Sequence, residues 1–263
     1  MNNKITENKI GIIGAGNIGQ SLIIKLLKEG YPEENIKLTY RGSIFTFEKI
    51  YDNNLVDMIS DNSRIVEESD ILILSVPPQA FKQIGDFGLK EDNLVISFMA
   101  GISIDEIKKQ TGSDNVVRVM PTGPDTILDS NAIAGVYPEN DDACELLDLL
   151  DIDYYILDME DDMKYMTLIG CLPAVYCVYD YESVENKEVV DKFSKEFPLF
   201  KELSYKASLL VPNEDKEEFV KKVATPGGVT QKILFSLDNG ESFYDSLVIA
   251  LDYIDKLNDM IFV

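Results

Sequence analysis

The sequence predicts an α/β fold, a parallel sheet wrapped by helices followed by an all-helical C-terminal part, and three observations carry that prediction. Short, mainly β-branched apolar runs recur at 9–13, 36–40, 71–76, 94–98, 116–120 and 132–136. Amphipathic stretches separate the early runs, as at 18–28, where Ile23, Leu26 and Leu27 fall on one helical face. Strand-length apolar runs alternating with helical patterns are the mark of βαβ units, whose parallel strands are covered on both faces. The pattern then changes. From 163 onward only helical candidates follow, at 163–181, 187–210, 216–223, 230–238 and 242–258, with the acidic segment 151–162 as the link.

The first run leads directly into Gly14-Ala15-Gly16-Asn17-Ile18-Gly19. Glycines at this spacing are informative only in context, and here they follow a strand and open an amphipathic helix, as a dinucleotide-binding turn requires. Gly14 permits the tight turn, Gly16 lets backbone approach a pyrophosphate, and Gly19 lets helix and strand pack closely. The N–H groups at the helix start, around Asn17 and Ile18, would then bind the phosphates. The second run ends in Arg41-Gly42-Ser43 and offers no carboxylate to a ribose 2′-hydroxyl. Arg41 suits a 2′-phosphate and Ser43 can donate to it, so NADP(H) is expected in preference to NAD(H). Residues 1–158 are therefore assigned to a Rossmann-type dinucleotide-binding domain and 159–263 to a helical domain.

Composition narrows the chemistry. The 263 residues hold 24 Lys and Arg against 47 Asp and Glu, a formal net charge of −23, and no histidine or tryptophan. Without histidine there is no His-based triad, His general base or His metal site. No metal site is expected: Asp141-Asp142 and Asp161-Asp162 lack spaced oxygen ligands, and Cys144, Cys171 and Cys177 form no close ligand set. The acidic excess argues against nucleic acid and anionic membranes as partners. The longest uncharged apolar stretch, 165–179 with Pro173 inside it, falls short of the ~20 residues that span a bilayer. The polar start Met1-Asn2-Asn3-Lys4 lacks the apolar core of a signal peptide, and a cytoplasmic location is expected.

Three further segments suggest a family: Ser75-Val76-Pro77-Pro78 where the third run ends, Ala100-Gly101 after the fourth, and Met120-Pro121-Thr122-Gly123-Pro124 where the fifth ends. With Gly170-Cys171-Leu172-Pro173-Ala174 and Thr225-Pro226-Gly227-Gly228-Val229-Thr230, the chain resembles pyrroline-5-carboxylate reductase over most of its length. The Pro-Gly-Gly-x-Thr turn is the most particular of these matches. The resemblance implies NAD(P)H-dependent reduction of a cyclic imine carboxylate by a homodimer, or a ring of dimers, with its site at the dimer interface. It places Ser75, Val76, Pro77, Ala100, Gly101, Met120 and Pro121 along the cofactor. Thr225 and the backbone N–H groups of Gly227 and Gly228 would cradle the substrate carboxylate. Thr230, the implied catalytic residue, would turn its hydroxyl toward the imine nitrogen. A protonated iminium is already electrophilic, so hydride transfer to it needs positioning more than a strong acid, which suits a chain without histidine.

Departures from the family pattern fall on the substrate side. Thr122-Gly123 replaces an Asn-Thr pair, and Ile169, Cys171 and Leu172 replace two serines and a glycine. A leucine in place of glycine is expected to narrow the pocket. Another imine, a keto or hydroxy acid, or a non-catalytic nucleotide-binding role stays open at this point. Lys164, the one lysine placed like a dehydrogenase catalytic lysine, lacks the supporting motif and is expected at the solvent edge.

Overall fold

The computed structural model describes residues 4–84 and 87–262. Met1, Asn2 and Asn3, the start of the polar N-terminus, lie outside them. The chain alternates β1 (Ile10–Ile13), α1 (Asn17–Lys28), β2 (Ile36–Thr39), α2 (Ile44–Asp52), α3 (Asn62–Glu68), β3 (Ile71–Leu74), α4 (Pro78–Phe81), β4 (Leu94–Ser97), α5 (Ile104–Thr111) and β5 (Val116–Pro121). It continues through α6 (Pro124–Leu128), β6 (Ile133–Tyr137), α7 (Asp141–Leu149) and β7 (Asp153–Ile156). Helices complete it: α8 (Met163–Val175), α9 (Val184–Phe193), α10 (Phe200–Leu209), α11 (Lys216–Val223), α12 (Val229–Asp238) and α13 (Phe243–Phe262).

Among the described residues, seven strands form one sheet in the order β2-β1-β3-β4-β5-β6-β7. They are apolar for a physical reason: successive side chains point to opposite faces, and both faces are covered. Ile71 and Ile73 pack on the side of Leu22 and Leu26 of α1, while Leu72 and Leu74 pack with Phe81 and Ile107. A third apolar cluster, centred on α8, joins the C-terminal helices to the β5–β7 edge of the sheet through Met120, Ile133 and Leu157.

Four expectations are corrected. The segment 151–162 is not only a link, because Asp153–Ile156 adds a seventh strand parallel to β6. Its side chains are half-buried or exposed, so it carries no continuous apolar run to mark it. The sheet is not wholly parallel, since β6 pairs antiparallel with β5. The span 187–210 is two helices, parted around Pro198, which has no N–H to continue a helical ladder. The span 163–181 stops being α-helical at Val175, two residues after Pro173, and tightens into turns.

The two reversed strands decide what faces the site. Because β6 and β7 run against β1–β5, the chain leaves β7 at the end of the sheet opposite the carboxyl ends of β1–β5. α8 then climbs back, packing on β6 and β5, until Gly170 lies beside the Pro121 carbonyl at the end of β5.

Candidate functional site

The glycine turn has little spare room except on one side. Gly14 has φ +115°, a region costly for any residue with a Cβ, and a Cβ there would press on Ser75. A Cβ on Gly19 would collide with the Gly14 carbonyl, which also accepts from Ser75 Oγ at 2.8 Å. Around Gly16, by contrast, a Cβ would meet nothing within 4 Å. Gly16 caps α1 without any side-chain hydrogen bond, so the first N–H groups of a twelve-residue helix stay open to an anion. A tight turn behind an open helix end is the cradle that a pyrophosphate needs.

In front of this turn lies a cavity of about 560 Å³. Asn17 and Ile18 line it from α1, Ser75–Pro77 and Ala100 from the ends of β3 and β4, and Met120 and Pro121 from β5. From the opposite side come Thr167, Gly170 and Cys171 of α8, then Thr225, Gly227, Gly228 and Thr230 at the start of α12. The expected cofactor and substrate sides therefore face one space, at the strand carboxyl ends where open α/β sheets bind ligands.

Other expected residues stand elsewhere. Gly14, Gly16 and Gly19 shape the turn behind the cavity wall without lining it. Arg41 is exposed beyond the end of β2 and donates to Gln83 Oε1 at 3.2 Å. Ser43 caps α2, its hydroxyl accepting from the Thr46 N–H at 3.5 Å. Gly101 lies against Leu257 of α13, where a Cβ would not fit, and borders a second hollow of about 380 Å³. Lys164 also borders that hollow; it is partly buried and pairs with Asp161 at 2.7 Å. There buried Arg118 donates to Glu160 Oε1 at 2.8 Å, and the same oxygen accepts the Ile104 N–H that opens α5. Burial lowers the Arg118 pKa against the pull of Glu160.

The Thr225–Thr230 turn is held from three directions. The Gly228 N–H donates to the Thr225 carbonyl at 2.9 Å, the Gly227 N–H to Gln231 Oε1 at 2.8 Å, and Tyr253 donates to the Gly227 carbonyl at 2.7 Å. The N–H groups of Gly227 and Gly228 are thus engaged within the turn. The donors open to an anion are those of Val229, Thr230 and Gln231, which begin α12 with no preceding helical carbonyl to take them.

Leu172 does not narrow the cavity. Residues 167, 170 and 171 share one helix face, as i, i+3 and i+4 do, and that face meets the cavity. Ile169 and Leu172 point into the helical core and are fully buried there. Thr122 turns inward as well, accepting from the Ile133 N–H at 3.1 Å and lying 3.0 Å from Thr126 Oγ1, while Gly123 is open to the cavity. Cys171 donates to the Thr167 carbonyl at 3.2 Å and touches the Thr230 hydroxyl. Burial pushes its thiol up to about 11. At pH 8 about a thousandth of it is then thiolate, the reactive form. Iodoacetamide at that pH is expected to alkylate Cys144 and Cys177 well before Cys171, as read by peptide mass spectrometry; equal rates would contradict the burial.

Sequence reasoning passed over three residues. Lys49 of α2 donates to Asn17 Oδ1 at 2.9 Å and so stands beside the α1 N-terminus. Lys222 lines the cavity, and Tyr253 both lines it and clamps the turn. None belongs to a motif; each arrives by tertiary packing.

Known proteins resemble this chain in sequence and fold. Residues 9–101 match the family model described as NADP oxidoreductase coenzyme F420-dependent. A pyrroline-5-carboxylate reductase of Arabidopsis thaliana is 26% identical over 254 residues, covering 92% of this chain and 91% of its own. The 1-pyrroline-5-carboxylate reductase of Streptococcus pyogenes superposes with a TM-score of 0.60 at 21% identity, over 96% of this chain and 98% of that one. The Plasmodium falciparum pyrroline carboxylate reductase, solved with NADP bound, gives 0.58 at 20% identity over 95% and 98%. These two likenesses are of fold. By motif and relatives, the chain is an NAD(P)-dependent oxidoreductase that is similar to pyrroline-5-carboxylate reductases over most of its length.

Proposed function

We propose that the chain uses NADPH to reduce a cyclic imine carboxylate, 1-pyrroline-5-carboxylate to proline; its relatives are named pyrroline-5-carboxylate reductases. The observation that carries this is the shared cavity, in which the open end of α1 and the open end of α12 face each other across about 560 Å³. A nucleotide-binding protein with a closed substrate pocket would lack that space.

The bound cofactor supplies a hydride, and the chain's own residues do the rest. The α1 N-terminus holds phosphate oxygens by its unpaired N–H groups and dipole. Arg41 supplies the cation for a 2′-phosphate. The N–H groups of Val229, Thr230 and Gln231 hold the substrate carboxylate, and the Thr230 hydroxyl accepts the N–H of the protonated ring. Apolar walls from Val76, Met120 and Pro121 limit water at the reacting carbon. Residues 1–158 serve as the dinucleotide-binding domain and 159–263 as the substrate-binding and dimerisation domain of a cytoplasmic homodimer or ring of dimers.

The direct test follows NADPH absorbance with pyrroline-5-carboxylate as substrate. Turnover is expected, and NADPH binding without turnover would overturn the proposal. For cofactor choice, Arg41→Ala should weaken NADPH binding about tenfold and leave NADH within about twofold, because only NADPH carries the extra phosphate. Fluorescence titration of both nucleotides reads the difference, and equal losses would remove Arg41 from the 2′-phosphate site.

A further inference from the structure

We propose that Lys222 selects anionic substrates for this cavity, and that Asp125 holds its ammonium at the lip until such a substrate takes it over. This deepens the imine-carboxylate reading and rests on it. Among the described residues lining the cavity, Lys222 alone carries a charge. It stands in the last turn of α11, immediately before the Thr225–Gly228 turn. Its neighbour Lys221 is taken by Glu217 on the same helix at 2.8 Å. The Lys222 Nζ instead crosses to Asp125 Oδ1 at 2.7 Å, in the first turn of α6, beside the lining residues Gly123 and Pro124.

Two physical points favour exchange. The Lys222–Asp125 pair is half-exposed, 48% on the lysine and 29% on the aspartate, and such pairs contribute little to stability. A substrate carboxylate can therefore replace Asp125 at small cost. In a chain of net charge −23, an anion also needs a local cation to enter an otherwise uncharged cavity. Lys222 supplies that charge next to the open N–H groups of α12, so the two together bracket a carboxylate.

The test compares pyrroline-5-carboxylate with 1-pyrroline, the same ring without the carboxylate, in wild type, Lys222→Met, Lys222→Arg and Asp125→Asn. The ratio of the two kcat/KM values should fall about tenfold in Lys222→Met, return to within about threefold of wild type in Lys222→Arg, and rise about threefold in Asp125→Asn. A ratio unchanged in Lys222→Met overturns the role. A second arm separates this from failure of the reductase reading. If wild type turns over neither ring, that reading falls, and thermal shift with saturating NADP⁺ plus L-proline or pyrrolidine tests Lys222 alone. Stabilisation by proline over pyrrolidine, lost in Lys222→Met, upholds the selection; no such preference in wild type overturns it.

Discussion

Gly19→Ala is expected to weaken NADPH binding about a hundredfold and to lower the melting temperature as well. The added methyl would collide with the Gly14 carbonyl, which is backbone and cannot step aside as a side-chain tip could. That carbonyl also accepts from Ser75, and the Gly14 N–H donates to Thr39 Oγ1 at 3.2 Å. Moving it disturbs the ends of β1, β2 and β3 together. Overpacking of this kind costs about 3 kcal/mol, and α1 must tilt to relieve it, carrying its N–H groups out of line with the phosphates. Gly16→Ala is the matched control, since the space around that position is open to at least 4 Å without ligand. It should retain the wild-type melting temperature and lose only affinity. Differential scanning fluorimetry with nucleotide titrations separates the two variants. A Gly19→Ala protein that binds NADPH normally would exclude the tight packing described at that turn.

Thr230→Val should lower kcat/KM for the imine about a hundredfold while leaving NADPH affinity near that of wild type. Valine keeps the shape of threonine, so the buried packing of α12 against α8 survives and only the hydroxyl is lost. A hydrogen bond to a charged group contributes about 2.7 kcal/mol at the upper end, which corresponds to the hundredfold. The loss should fall on kcat/KM without a shift in NADPH dissociation, because Thr230 stands on the α12 side of the cavity, opposite α1. Thr230→Ser, which keeps the hydroxyl, should recover most of the activity. A valine variant with less than threefold loss would remove Thr230 from the reaction.

The strands are legible because burial on both faces forces a continuous apolar run, and the glycine turn because its backbone constraints select one residue type at fixed spacing. What escapes is set by tertiary context. β7 lies at a sheet edge, where Asp153 and Ile156 meet solvent and alternation is weak. The direction of β6 leaves no trace in its composition, since Ile133–Val136 would be as apolar running either way. Leu172 misleads when set against the family pattern, although helical spacing places it: three and four residues from 167 comes 170 or 171, not 172. Lys222 and Tyr253 reach the cavity from α11 and α13, far from any recognisable spacing, and only packing brings them there.

The packing of α8 on the sheet has a consequence for how this scaffold can change. Gly135 of β6 leaves room for Met166, and Gly170, one helical turn later, sits so close to β5 that a Cβ would meet the Pro121 carbonyl at 3.2 Å. Two contacts four residues apart key one turn of α8 to two neighbouring strands, like adjacent teeth of a rack. One inserted residue would rotate everything beyond it by about 100° and advance it about 1.5 Å, unseating Gly170 and turning Cys171 out of the cavity. The substrate wall is therefore free to vary letter by letter at 167 and 171, but held to glycine at 170 and closed to insertion or deletion within that turn. New specificities on this frame should arise by substitution there, with length changes confined to the segments before Met163 and after Val175.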